Sequence, residues 1–204
     1  MPGSGPGLDA ELAFEFTHDP NLLDQYFRVY EARFRALYNA REYRHDPEDG
    51  DDRRSEILIA RLGSVCVGGA RLTIKTPERR EPLPMEMNGF RIEERLPHVV
   101  SGAMRYGQIG RICLTEDFSG GSATRTLMWH LFRRVVDLDL KKIFGTAPML
   151  NARLYRQHCM AMGLTDVTIH HDVVLPPYPM CDGLTFYLIS GSVDNSRATG
   201  APPA

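Results

Sequence analysis

Two arginines sit inside strand-like sequence, Arg71 in VCVGGARLTI and Arg111 in IGRICL. A guanidinium carried into a sheet needs a carboxylate or phosphate partner, because an unpaired buried charge is costly. The stretch REYRHDPEDGDDRRSE offers Asp46, Glu48, Asp49, Asp51 and Asp52 as partners. The alternative is a solvated acidic loop beside arginines on an exposed strand face. A second candidate lies in EDFSGGSATRTLMWHLF, where Gly120 and Gly121 separate a strand from a helix. Backbone N–H groups converge at such a helix N-terminus and can hold phosphate. Glycine takes positive φ and admits a close ligand, and the helix dipole favours a pyrophosphate or phosphopantetheine anion. A plain glycine turn is the competing reading. A third candidate is Asn151 with Tyr155, four residues apart and therefore on one helical face. His170, His171 and Asp172 are adjacent on a strand and alternate between its faces, so no metal chelate follows from them. Cys66, Cys113, Cys159 and Cys181 lack C-x-x-C spacing and are read as reduced thiols, so no metal site is expected.

The elements that must position these residues are legible in the hydrophobic spacing. From Asn21 to about Arg41, Leu22, Leu23, Tyr26, Phe27, Tyr30, Phe34, Leu37 and Tyr38 recur at three and four, one face of a helix begun at Asp19-Pro20. The charged stretch after it, with Pro47 and Gly50, reads as a loop. ILIARL and VCVGGARLTI form a hairpin across Gly63-Ser64, and IGRICL is a third strand after a polar segment with one short helix near residues 89 to 95. After the glycine pair, Leu127, Leu131, Val135 and Leu138 mark a second helix. KKIFGTAP is a strand, NARLYRQHCMAMG a helix closed by Gly163, and VTIHHDVVL and LTFYLIS are closing strands. The order is mixed α/β, with residues 11 to 190 as a single domain. The Gly-, Pro- and Ser-rich ends, 1 to 10 and 191 to 204, are expected to be disordered tails.

At 204 residues with 43% hydrophobic and 25% charged content, the chain can bury a core without disulfides or a structural metal. A net charge of -2 and a pI near 6.4 argue against a dedicated nucleic-acid binder. The start MPGSGPGLDAELAFEF lacks the basic and apolar regions of a secretory signal, and no apolar run reaches membrane-spanning length. A soluble, cytoplasmic protein is expected.

The succession of strand, glycine turn, helix, strand and N-x-x-x-Y helix ending in Gly163-Leu164 resembles the GNAT acyltransferases. That resemblance implies that the amides of Gly120, Gly121, Ser122 and Ala123 hold the donor's phosphates, with Asn151 near the donor, and that Tyr155 protonates the leaving thiolate. Tyr155 as a core aromatic is the alternative. Residues 25 to 165 further resemble the acyl-homoserine-lactone (autoinducer) synthases and the long-chain N-acyl amino acid synthases. Asp46, Glu48 and Asp51 have those families' acid-x-acid-x-x-acid spacing, Gly68-Gly-Ala-Arg71-Leu matches their strand, and Thr76, Pro77 and Phe90 match the segment that follows. Their E-x-x-R appears as Gln108-Ile-Gly-Arg111, and on the first helix Arg33 has Leu37, rather than an aromatic, four residues on. Tyr43 stands near the position of the family's tryptophan.

The resemblance implies a GNAT-like α/β fold with no permanently bound cofactor and an acyl-CoA or acyl-carrier-protein phosphopantetheine thioester as co-substrate. The acceptor would be S-adenosylmethionine or a free amino acid, bound by Asp46, Glu48, Asp51 and Arg71. Backbone N–H groups between Arg111 and Leu114 would stabilise the oxyanion. Gln108 cannot be a base, so the acceptor amine would lose its proton to Glu116, Asp51 or an ordered water. Met85, Met87, Phe90, Met149 and Met160 are candidates for an acyl pocket or for core filler. Arg133, Arg134, Lys141, Lys142 and Arg153 suit docking of an acidic carrier protein. Two other classes remain: an acetyl-CoA-dependent GNAT enzyme acting on an unrelated amine, and a non-catalytic acyl-thioester or small-ligand binding module.

Overall fold

In the computed structural model, which describes residues 11–178, 181 and 183–194, the chain runs β1 (Leu12–Thr17), α1 (Pro20–Tyr38), α2 (Gly50–Arg53), β2 (Glu56–Leu62), β3 (Val65–Lys75) and α3 (Ile92–Arg95). It continues through β4 (Tyr106–Leu114), α4 (Gly121–Asp137), β5 (Lys142–Pro148), α5 (Met149–Ala161), β6 (Thr165–His170) and β7 (Phe186–Ser192). The strands form one sheet in the order β1-β2-β3-β4-β5-β7-β6. Among the described residues, only the β4–β5 pair is parallel. This is the mixed α/β architecture expected from the sequence.

Local chemistry explains the elements that frame the centre of the sheet. The Asp19 carboxylate accepts the N–H groups of Asn21 at 2.8 Å and Leu22 at 3.4 Å, Pro20 occupies the first turn, and Asn39 ends α1 with φ of 52°. Tyr26, Tyr30 and Phe34, one turn apart, are buried against the sheet. In β2, Ile57 and Ile59 pack in the α1 layer, while Leu58 and Ala60 pack with Leu127, Leu131 and Val135 of α4. Both faces of the strand are therefore covered, and β2 reads as an unbroken apolar run. Between β3 and β4, the buried Glu86 carboxylate sits 3.0 Å from Lys75 Nζ and accepts the N–H groups of Leu83 at 2.7 Å and Ile92 at 3.0 Å. That knot orders the long connection.

Several boundaries differ from the sequence expectation. The first helix stops at Tyr38, three residues early, and the charged loop contains α2, capped by Asp49. β1 was not expected, and it pairs along the outer edge of β2. The strand expected over 167 to 175 ends at His170. The disordered tail expected from 191 begins too early, since Gly191 and Ser192 pair with Ile143 and Lys142 and Val193 donates its N–H to Lys141 at 3.0 Å. Backbone pairing is indifferent to the small side chains that made this stretch look loose. Residues 1–10 and 195–204 lie outside the described residues.

Candidate active site

The site is set by an irregularity in β4. Gly69 pairs with Cys113 and Arg71 with Gly110, so Arg111 and Ile112 together face Ala70. This is a β-bulge, and Arg111 takes φ of 52° within it. Tyr26, fully buried, donates its hydroxyl to the Arg111 carbonyl at 2.8 Å. Gly68 and Gly69 lie opposite, and a Cβ at either would collide with the Cys113 or Leu58 carbonyl. Gly68 is what allows the bulged strand to lie that close, and Gly69 does the same for β2 and the Tyr26 ring.

Beyond the bulge the sheet opens. β4 and β5 pair only from Tyr106–Lys142 to Gln108–Phe144, although β4 runs on to Leu114 and β5 to Pro148. A cleft occupies the gap, with Ile109, Gly110 and Ile112 on one wall and Gly145 and Thr146 on the other. Phe34, Met128, Phe186 and Ile189 make it largely apolar, and Arg33, Arg71, Gln108, Arg111, Asn151 and Tyr155 supply polar groups. None of its described lining residues is an Asp, Glu or His.

At the α1 end the arginines are held by α2. Arg71 Nη1 donates to Asp52 at 2.7 Å, Arg111 donates to both Asp52 and Asp49, and Arg71 also lies 3.7 Å from Asp49. The pairing is shielded, with side-chain exposures of 5% for Arg71 and 9% for Asp52. Burial opposes charge on Arg111, but the Asp52 carboxylate together with Tyr30, Tyr26 and Tyr43 raises the guanidinium pKa. Burial likewise opposes charge on Asp49, yet Arg111 and the Asp51 N–H hold its pKa below the usual carboxylate range. His45 completes the cluster, with Nδ1 3.3 Å from Arg111 Nη1 and its ring stacked on Phe27 at 3.9 Å. Burial first, and then the Arg111 charge, lower its pKa, so it is a neutral imidazole near pH 7.

The acids that pair with the arginines are therefore not Asp46, Glu48 and Asp51. Glu48 pairs with Arg53, Asp51 with Arg54, and Asp46 accepts the Glu48 N–H at 2.9 Å. The reason is helical spacing: Asp49 caps α2, and Asp52, three residues on, shares its face, whereas Asp51 points elsewhere. An acidic N-cap followed by a second acid at that spacing was the available signal. His45 and Tyr26 carried no such signal.

The remaining expected residues fall in different places. Gln108 is buried at the closed end of the cleft, its Oε1 accepting the Met85 N–H at 2.9 Å. Tyr155 lines the cleft, and burial raises its pKa. Asn151 also lines it and donates to the Tyr38 hydroxyl at 3.4 Å. Gly120 and Gly121 have φ of 84° and 58°, with open space where their side chains would be, and Gly120 offers α4 no side-chain cap. Ser122 and Ala123 continue that first turn. Glu116 lies outside the cleft lining, 84% exposed, paired with Arg33 at 2.9 Å. Leu114 belongs to the core between the sheet and α4. Phe90 and Met85 pack with Ile92, Leu96 and Tyr106 beneath the 83–100 segment, and Met160 is exposed. None of the five residues expected in an acyl pocket is among the described cleft lining; for Met85 and Phe90 the reason is that knotting of the β3–β4 connection around Glu86 turns their side chains into that segment's own core. Of the expected docking residues, Arg134 pairs with Glu56, Lys141 with Asp139, and Lys142 donates to Ser192.

No family model matches the chain, and no curated protein matches it in sequence. Among solved structures it is similar to the AHL synthase LasI, with a TM-score of 0.64 and 14% identity over 96% of this chain and 98% of that one. It is similar to FeeM, an N-acyl amino acid synthase from uncultured soil microbes, with a TM-score of 0.61 and 12% identity over 92% and 93%. It is also similar to the CoA-dependent acyl-homoserine lactone synthase BjaI, solved with SAM and isopentyl-CoA, at 0.61 and 17% over 88% and 80%. The fold is that of the GNAT-like acyltransferases. Within this GNAT-like fold, the bulge in β4 and the splay from β5 border the cleft, whereas none of Gly120, Gly121, Ser122 and Ala123 is among its described lining residues.

Proposed function

We propose that the chain is an N-acyltransferase that moves a fatty acyl group from a CoA or acyl-carrier-protein thioester to the amine of an amino-acid-like acceptor, in the manner of autoinducer synthases and N-acyl amino acid synthases. The cleft between the splayed ends of β4 and β5 carries this reading. It has apolar walls for an acyl chain, a backbone edge freed from strand pairing, and a charged cluster at the end that α1 covers. The glycine turn at the start of α4 suits the donor's phosphates.

The acceptor nitrogen attacks the thioester carbonyl, and N–H groups along the freed edge of β4 stabilise the oxyanion. Expulsion of the pantetheine sulfur breaks the C–S bond as the new C–N bond is kept. Burial keeps Tyr155 protonated, and it donates a hydrogen bond to the departing thiolate. The proton lost by the nitrogen passes to that sulfur, giving amide and free thiol. None of the described lining residues is a carboxylate or imidazole, so in this reading the acceptor ammonium loses its first proton to water before attack.

The test is thiol release from purified protein given acyl-CoA donors from acetyl to long-chain, with and without amino acids or S-adenosylmethionine, and acylated product read by mass spectrometry. Release from a long-chain donor only when an acceptor is present is the expected result. Turnover confined to acetyl-CoA would make the protein a general acetyltransferase, and no turnover with any donor would leave a binding module.

A further inference from the structure

Three arginines line the cleft, and they differ in what their charge already holds. Arg71 and Arg111 are matched by Asp49 and Asp52 in a shielded cluster. An incoming anion would have to displace a buried partner from either of them. Arg33, on α1, is 17% exposed and gives one N–H to Glu116, whose carboxylate is 84% exposed. An ion pair with so exposed a partner is weak and easily exchanged. A carboxylate brought into the cleft, out of water, pairs with the same guanidinium more strongly. Arg33 also lines the same cleft as Ile112 and Cys113 of the reacting strand. Cys113 is two residues past the bulged Arg111 on β4. The described cleft wall holds no acidic side chain to repel an anion.

We propose that Arg33 anchors the acceptor's α-carboxylate, which takes the place of Glu116 as the acceptor enters. The proposal rests on the acyltransferase reading above and narrows its acceptor to free amino acids and their α-carboxylate-bearing derivatives. In such a molecule the amine and carboxylate share one carbon. Fixing the carboxylate on Arg33 therefore fixes the nitrogen's approach to β4, which simple amines and amino-acid amides cannot exploit.

The experiment compares a panel of amino acids with their primary amides as acceptors at saturating acyl-CoA, in the wild-type protein and in Arg33→Gln, Arg33→Lys and Glu116→Gln. The wild-type protein should favour acid over matched amide. Arg33→Gln should raise the acid's KM about ten- to hundredfold, the loss expected for one charged hydrogen-bonded contact, and leave the amide's KM unmoved. Arg33→Lys should recover part of that loss, because it keeps the charge and loses the planar fork. Glu116→Gln should lower the acid's KM, because the competing carboxylate is gone. Equal KM changes for acid and amide in Arg33→Gln, or no change for the acid, would overturn the assignment. If Arg33→Gln does not fold, the wild-type preference and the Glu116→Gln shift still decide it. A wild-type protein that acylates amides as well as acids removes the anchor and keeps the acyltransferase; thiol release with no amine at all removes both.

Discussion

Arg71, Arg111, Asp49 and Asp52 form a set in which each charge has a shielded partner, and that balance makes single changes severe. Asp52→Asn leaves two guanidinium groups short of one carboxylate, and thermal melting should show a loss of about 3–5 kcal/mol, the cost typical of breaking a buried pair. Arg71→Lys keeps the charge but loses the planar fork; a folded, nearly inactive protein is expected, and near-normal transfer to an amino acid would remove Arg71 from the acceptor site. The absence of an acid or imidazole from the described cleft wall predicts the pH profile. With amine deprotonation left to water, log kcat/KM for the acceptor should rise with unit slope to the acceptor's own amine pKa. A plateau set near pH 6 to 7 would instead reveal an enzyme base.

The decisive elements are the bulge in β4 and the turn before α4. Tyr26 ties α1 to the bulge through the Arg111 carbonyl, and Gly68 lets β3 and the bulged strand meet. The turn works by conformation rather than by close packing, since Gly120 and Gly121 have positive φ and open space beyond them. A β-branched residue resists that conformation and projects into the space a phosphate would take. Gly121→Val should therefore raise the KM for acyl-CoA and leave the KM for the acceptor unchanged in steady-state kinetics. Unaltered donor affinity would exclude the turn from the donor site.

For the whole molecule, the histidines set a dependence of stability on acid. Burial lowers the pKa of His45, His130, His158 and His170, so below their ordinary value the unfolded chain binds protons that the folded chain does not. Stability should be fully present above about pH 6.5 and should fall as pH drops below that value. The depressed carboxylates, Asp49 among them, extend the loss at still lower pH. Melting curves at pH 7.5 and 5.5 check this, and a Tm that rises on acidification would contradict it. None of the described helices is long and apolar enough to cross a membrane.

What the sequence determined by itself is what neighbouring residues decide. The period of Tyr26, Tyr30 and Phe34, the Asp19-Pro20 start and the two glycines before α4 each act within a turn or two of chain, and each was legible. The need of Arg71 and Arg111 for partners was also legible, since burying charge has a cost wherever it happens. Which carboxylates answered that need was not, because Arg111 meets Asp52 across 59 residues and Tyr26 meets the Arg111 carbonyl across 85. The family resemblance favoured Asp46, Glu48 and Asp51; one turn of helix placed Asp49 and Asp52 on the inward face instead. Met85 and Phe90 of the β3–β4 connection looked suited to an acyl chain, and only tertiary packing turned them into a separate core. The cleft itself is a tertiary fact, because it exists where two strands distant in sequence cease to pair, and no local period records the end of a pairing.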